Sequence, residues 1–104
     1  MVPRGKIRRM AERIVERFAP QKVILLGSHA RGDATADSDV DFLVVMPFSG
    51  SRLNLCIEIR KVLFGFGVPK DVMVLTPEEY EAYKDQPGTI AYPAAREGQV
   101  LYAA

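Results

Sequence analysis

Between Leu25 and Val44 the chain reads LLGSHARGDATADSDVDFLV, and this stretch holds most of the side chains able to do chemistry. Asp39 and Asp41 stand two residues apart where a run of branched and aromatic residues begins. In a strand both leave the same face, while Val40 and Phe42 turn toward the core. Two carboxylates held this close repel each other unless a cation lies between them. Hard oxygen ligands on a partly open site suit Mg²⁺, which keeps waters and takes its other ligands from substrate phosphates. A bare Asp-x-Asp is also what a solvated strand edge looks like, so the surrounding residues must decide.

Gly27-Ser28 follows directly on the apolar run Val23-Ile24-Leu25-Leu26. A glycine there permits a tight turn and close backbone approach, and the N–H groups and Ser28 hydroxyl can bind phosphate oxygens. Alone, the pair would be a plain strand-ending turn. Arg31 comes three residues after Ser28 and can neutralise phosphate charge with its planar fork, its other reading being a solvated surface arginine. Gly32 lets the loop fold back, and Ser38 caps a turn through its hydroxyl. Asp71 opens a further apolar run, beside Val72 and Val74. If that strand lies next to the one bearing Asp41, Asp71 reaches the same site, as a ligand or as general base for an incoming hydroxyl. A solvated strand end after Lys70 is the rival reading.

No Ser-His-Asp or Cys-His arrangement competes. The single histidine, His29, sits beside Ser28, where it lines the pocket or simply fills the turn. Cys56 falls on an apolar helix face and reads as a small core hydrophobe. Tyr80, Tyr83 and Tyr92 offer rings that can stack on a base or meet a partner, although half-buried packing is the commoner role.

The elements needed to position these groups follow from the apolar pattern. Ile7, Met10, Ala11, Ile14, Val15 and Phe18 recur at three- and four-residue steps, predicting an amphipathic helix from Arg4 to Phe18 that Pro20 stops. The arginines Arg4, Arg8, Arg9, Arg13 and Arg17 then face water with Glu12 and Glu16. Val23–Leu26 reads as a strand buried on both faces, Ser28–Ser38 as a turn with at most one short helix, and Val40–Val45 as a second strand. Ser51 caps a helix that ends at Gly65 or Gly67, with Leu53, Cys56, Ile57 and Leu63 on one side and Leu55, Ile59 and Val62 on another. Asp71–Leu75 is a third strand. Thr76-Pro77-Glu78-Glu79 is a helix start with Thr at N-cap, Pro at N1 and Glu at N3, closed by Pro87-Gly88. A short helix near Tyr92–Glu97 and a last strand from Gln99 to Tyr102 complete the order. Alternation of this kind predicts an α/β fold: one domain over residues 1–104, with a mixed sheet of about four strands and helices packed against it.

Composition sets the outer bounds. The chain has 104 residues, 48% apolar and 26% charged, which are values of a folded domain and not of a disordered tail. Its net charge of +1 gives no backbone-tracking groove for a polynucleotide. One cysteine excludes an internal disulfide framework and suits a reducing compartment. No apolar run approaches a membrane span, and the basic start MVPRGKIRRM lacks the apolar stretch of a signal peptide, so the expected location is cytoplasmic.

Gly27-Ser28, ten intervening residues, then Asp39-Val40-Asp41 resembles the signature of the DNA polymerase β-like nucleotidyltransferase superfamily. The fuller string GSHARGDATADSDVDFLVV is similar to that of the minimal nucleotidyltransferases, compact proteins often encoded beside a helical HEPN partner. The likeness is dense over residues 23–45. It is looser beyond, where Asp71 before Val72-Met73-Val74, and Glu97-Gly98-Gln99-Val100-Leu101-Tyr102, also match.

That resemblance implies ATP phosphates over Gly27 and Ser28 with Arg31 nearby, and Mg²⁺ on Asp39 and Asp41. Asp71 would complete the acidic triad and help activate an acceptor hydroxyl. AMP would be transferred and pyrophosphate released, a displacement that needs charge clamps more than a protein nucleophile. Larger members grip the acceptor with an additional domain, so here the acceptor is expected to be small or to bring its own recognition surface. In the minimal family the implied acceptor is a tyrosine of a HEPN toxin, which the nucleotidyltransferase opposes as antitoxin. The alternatives are a non-catalytic antitoxin acting by occlusion, and an enzyme modifying a small molecule such as an aminoglycoside.

Overall fold

The computed structural model of the protein describes residues 1–104 and shows five helices around one four-stranded sheet. Helix α1 (Arg4–Phe18) buries Ile7, Met10, Ala11 and Ile14, the stripe its spacing sets out. It ends where Ala19 takes a left-handed conformation (φ 46°) ahead of Pro20. Strand β1 (Lys22–Leu26) runs straight into helix α2 (Gly27–Arg31), which Gly32 closes at φ 89° with its N–H on the Ser28 carbonyl. After a turn come strand β2 (Val40–Val45), helix α3 (Arg52–Val62) and strand β3 (Lys70–Leu75). Helices α4 (Pro77–Tyr83) and α5 (Ala91–Glu97) and strand β4 (Gln99–Ala103) finish the chain.

The sheet order is β3-β2-β1-β4. β1 is antiparallel to both β2 and β4, whereas β2 and β3 are parallel, joined by the α3 crossover. Alternation along the strands splits the core in two. Val23, Leu25, Val40, Phe42, Val44, Val72 and Val74 face α1 and α3. Ile24, Leu26, Leu43 and Val45 face α4 and α5, which contribute Tyr80, Ala91 and Ala94. The mixed α/β sheet is therefore the expected one. No helix is long and apolar enough to cross a membrane.

The 28–38 segment opens within the one short helix allowed for there, α2. Other local expectations need correction. Helix α4 stops at Tyr83 rather than at Pro87-Gly88, because the Thr89 hydroxyl donates to the Tyr83 and Gln86 carbonyls (2.9 and 2.8 Å) and Arg96 Nη1 donates to the Lys84 carbonyl at 2.7 Å. Helix α3 stops at Val62, with Leu63 as C-cap, two residues short of Gly65. Its apolar residues do not divide into the two expected sides: Ile59 and Leu63, expected on different sides, are both fully buried, while Leu53 and Ile57, expected beside Leu63, are exposed. Arg13 does not simply face water, since its guanidinium lies 5.3 Å from the Phe66 ring centroid and donates to the Val62 carbonyl. The α4 capping box is present as expected, with Thr76 and Glu79 exchanging hydrogen bonds (3.1 and 2.8 Å).

Candidate functional site

The carboxylates meet at one end of the sheet. β2 and β3 both begin there, and β1, running the other way, ends there. The register sets Asp41 directly beside Asp71 on the parallel pair and opposite Leu26 on the antiparallel one. Because Phe42 and Val72 point toward α1 and α3, Asp41 and Asp71 lie on the other face, in line with Leu43 and Met73. Asp39 precedes the first residue of β2 and is exposed. Asp71 is the second residue of the edge strand and is exposed, as the solvated-strand-end reading has it, and the register also sets it beside Asp41.

Charge records the crowding. Burial pushes the Asp41 carboxyl above its usual range, and the neighbouring Asp71 and Asp39 push it the same way; His29 and Arg31 oppose the rise. The cluster is not a closed cage: no three carboxylate, imidazole or thiol groups converge to hold an ion by themselves. Asp71 Oδ1 accepts from the Val72 N–H at 3.0 Å, so part of its capacity is already used.

Gly27 has a reason that the sequence did not disclose. At φ 70° its backbone is left-handed, and a Cβ placed there would stand 2.5 Å from Asp41 Oδ2. The close approach is made by the protein's own carboxylate, which lies over the bare glycine. Ser28 follows in the first turn of α2, whose amino end no side chain caps. Arg31 reaches the rim, 3.4 Å from Asp33 and 3.8 Å from Glu97.

His29 is a structural clamp. It is buried, with Nδ1–H donating to the Asp39 carbonyl at 3.0 Å and Nε2 accepting the Val2 N–H at 3.2 Å. This fixes the neutral tautomer and ties the amino terminus, α2 and the residue before β2 together. Ser38 plays the turn role expected, accepting the Thr35 N–H at 2.9 Å.

A cleft of about 180 Å³ opens beside these groups, lined by Gly27, Arg31, Asp41, Met73, Pro93 and Glu97 among others. No site role attached to Met73, Pro93 or Glu97 in the sequence, although Met73 and Glu97 fall in the strings Val72-Met73-Val74 and Glu97-Gly98 that carry the looser likeness. None of Tyr80, Tyr83 or Tyr92 lines it. Tyr80 is buried against the sheet and Tyr92 carries the Arg96 guanidinium 3.9 Å from its centroid. Cys56 is half-buried against the α1–α3 core, and burial raises its thiol pKa.

Comparison with known proteins gives this geometry a family. The nucleotidyltransferase domain model matches residues 7–91, which includes every residue of the carboxylate cluster. The chain belongs to the nucleotidyltransferase domain family. This nucleotidyltransferase is 35% identical over 83 residues to a candidate protein adenylyltransferase of Methanocaldococcus jannaschii, covering 79% of this chain and 78% of that one. Its fold resembles that of a candidate nucleotidyltransferase from Sulfolobus solfataricus (TM-score 0.66, 19% identity, 95% of this chain and 78% of that one). It also resembles a chain from a toxin–antitoxin crystal structure with AMP-PNP (TM-score 0.56, 15% identity, 93% and 73%).

Proposed function

We propose that this nucleotidyltransferase moves AMP from ATP onto the hydroxyl of a tyrosine in a partner protein, a helical HEPN-type toxin, and so acts as its antitoxin. The observation that carries the reading is the Asp41–Asp71 register pair beside Gly27, with Asp41, Gly27 and Arg31 lining a cleft. The donor set fits Mg²⁺: all hard oxygens, mutually repelling, and too few to enclose an ion without water and phosphate oxygens. Asp39, Asp41 and Asp71 would hold it only once their side chains draw together, since the three do not converge on an ion as they stand. Bound there, it supplies charge neutralisation for the triphosphate and for the departing pyrophosphate.

The chain's own residues account for the rest. The backbone at Gly27 and the Ser28 N–H and hydroxyl seat the phosphates. Arg31 exchanges its exposed partners Asp33 and Glu97 for a phosphate oxygen, at little cost because exposed ion pairs are weak. Asp71, exposed at the edge strand, accepts the proton as the acceptor oxygen bonds to the α-phosphorus and the bond to the bridging oxygen breaks. The cleft is smaller than the few hundred Å³ typical of ligand pockets, so much of the nucleotide stays open to an incoming hydroxyl.

Two features of relatives support the reading: the Methanocaldococcus protein is described as acting on protein, and the toxin–antitoxin chain of similar fold was solved with an ATP analogue. The test is transfer of label from α-phosphate-labelled ATP to the co-expressed partner in the presence of Mg²⁺. Asp39→Ala with Asp41→Ala abolishes it while leaving the fold intact; undiminished labelling by the double variant refutes the site. A double variant that still neutralises the partner in cells transfers the case to occlusion.

A further inference from the structure

Helix α3 is apolar on more than its buried side. Leu53 and Ile57 on the helix, and Phe64 in the turn just past its C-cap Leu63, are 68%, 42% and 85% exposed, with Arg60 between Ile57 and Phe64. An open depression of about 490 Å³ lies there, lined by Ile57, Arg60, Lys61, Phe64 and Lys70. It is larger than the cleft beside the carboxylates. A side chain as large as Phe64 almost wholly in water costs solubility and contributes nothing to the core.

Two further observations say what covers it. The first is charge. Arg60 and Lys70 take part in none of the chain's ion pairs, and Lys61 meets only Glu58, at 3.4 Å and largely in solvent. A second copy in two-fold symmetry would press these cations on one another. A polynucleotide would find phosphate partners in the cations, but nothing in Leu53 or Ile57. An acidic protein surface with apolar side chains satisfies both. The second observation is position. Lys70 begins β3 immediately before Asp71, and it pairs in register with Val40, between Asp39 and Asp41. The depression therefore borders the carboxylate end of the sheet from the α3 side, the face opposite the one Asp41 and Asp71 share, so a docked partner reaches them around the β3 edge.

We propose that the α3 stripe of Leu53, Ile57 and Phe64, rimmed by Arg60, Lys61 and Lys70, docks an acidic, apolar-faced acceptor protein and presents its hydroxyl to the carboxylate edge. The acceptor role rests on the nucleotidyl transfer proposed above, and the docking itself does not. The probe is a fluorescein-labelled random copolymer of glutamate, alanine and tyrosine, with a lysine–alanine–tyrosine copolymer and single-stranded RNA as comparators. Binding to the full chain is read by anisotropy, and Mg²⁺–ATP binding is measured in parallel. Phe64→Ser, and Arg60→Glu with Lys61→Glu, each weaken the acidic copolymer by about tenfold or more, as loss of an interface anchor does. Mg²⁺–ATP affinity is unchanged, and label transfer to the copolymer shows a raised KM at unchanged kcat. Equal thermal midpoints keep lost binding distinct from lost fold; if Phe64→Ser lowers the midpoint, Leu53→Ser at the far end of the stripe replaces it. Copolymer affinity that survives these variants, or preference for RNA or the lysine copolymer, overturns the docking surface. Stripe-dependent copolymer binding without Mg²⁺–ATP binding upholds the surface and overturns the transfer reading instead.

Discussion

Replacing Gly27 by alanine tests whether this glycine exists for the sake of Asp41. Two penalties add. At φ 70° an alanine is left-handed, at about 1–2 kcal/mol. Its Cβ also lands 2.5 Å from Asp41 Oδ2 and 3.6 Å from Cγ, so the carboxylate must leave its rotamer well, at roughly 0.5–1.5 kcal/mol. Gly27→Ala alone should therefore cost about 1.5–3.5 kcal/mol. In an Asp41→Ala background the second penalty vanishes, because the oxygen it would strike is gone. Urea unfolding of wild type, both single variants and the double variant gives the coupling directly, with any intrinsic effect of Asp41→Ala cancelling around the cycle. The expected coupling is about 0.5–1.5 kcal/mol, the double variant being more stable than the sum of the singles predicts. Additivity to within about 0.3 kcal/mol refutes the close packing of glycine and carboxylate.

Asp41→Asn should stabilise the protein in the absence of divalent cations at neutral pH. Since the folded-state pKa is raised, the Asp41 contribution to stability is greatest below the unfolded value of 3.8 and is lost as pH climbs through the folded one; a thermal-midpoint profile against pH should show the variant lacking this loss, and Mg²⁺ restoring the wild type alone. Glu79→Gln should cost only about 0.5–1 kcal/mol at pH 7, because its 2.7 Å pair with Arg52 is substantially exposed. The wild-type carboxyl is held at about 2 by Arg52 and the Thr76 N–H, so its contribution is intact above 4.5 and lost as pH falls toward 2; acid unfolding curves that coincide for both proteins would contradict this. His29→Ala should destabilise by about 2–3 kcal/mol, through a cavity and an orphaned Asp39 carbonyl, and should release amide-exchange protection at Val2.

What could be read in advance depended on whether the cause was local. The α1 stripe, the Thr76–Glu79 capping box and the spacing from Gly27 to Asp41 are each written within a few turns or one hairpin, and each appears in place. Asp71 was legible only conditionally: nothing in Lys70-Asp71-Val72 says which strand lies beside it, and the parallel register decides. His29 left two readings open, lining the pocket or filling the turn, and the structure takes the second: both its nitrogens are spent on backbone groups, one of them 27 residues away at Val2. The end of α4 was lost to Thr89 and Arg96, side chains that return from beyond the helix to take its last carbonyls. On α3 the pattern set out two apolar sides, but one-dimensional periodicity does not tell which apolar residues are buried and which are left over.

The connection between β1 and β2 also orders events in time. Gly27 and Asp41 meet across only fourteen residues, so the hairpin that crowds Asp41 against the glycine closes a short loop at small entropic cost. Asp71 arrives thirty residues later in the chain, after a crossover that the parallel pairing cannot do without. A refolding molecule can therefore hold two of its three acids in near-native proximity while the third is still at large, and slow, non-local zippering of β3 onto β2 governs when the acidic edge becomes whole.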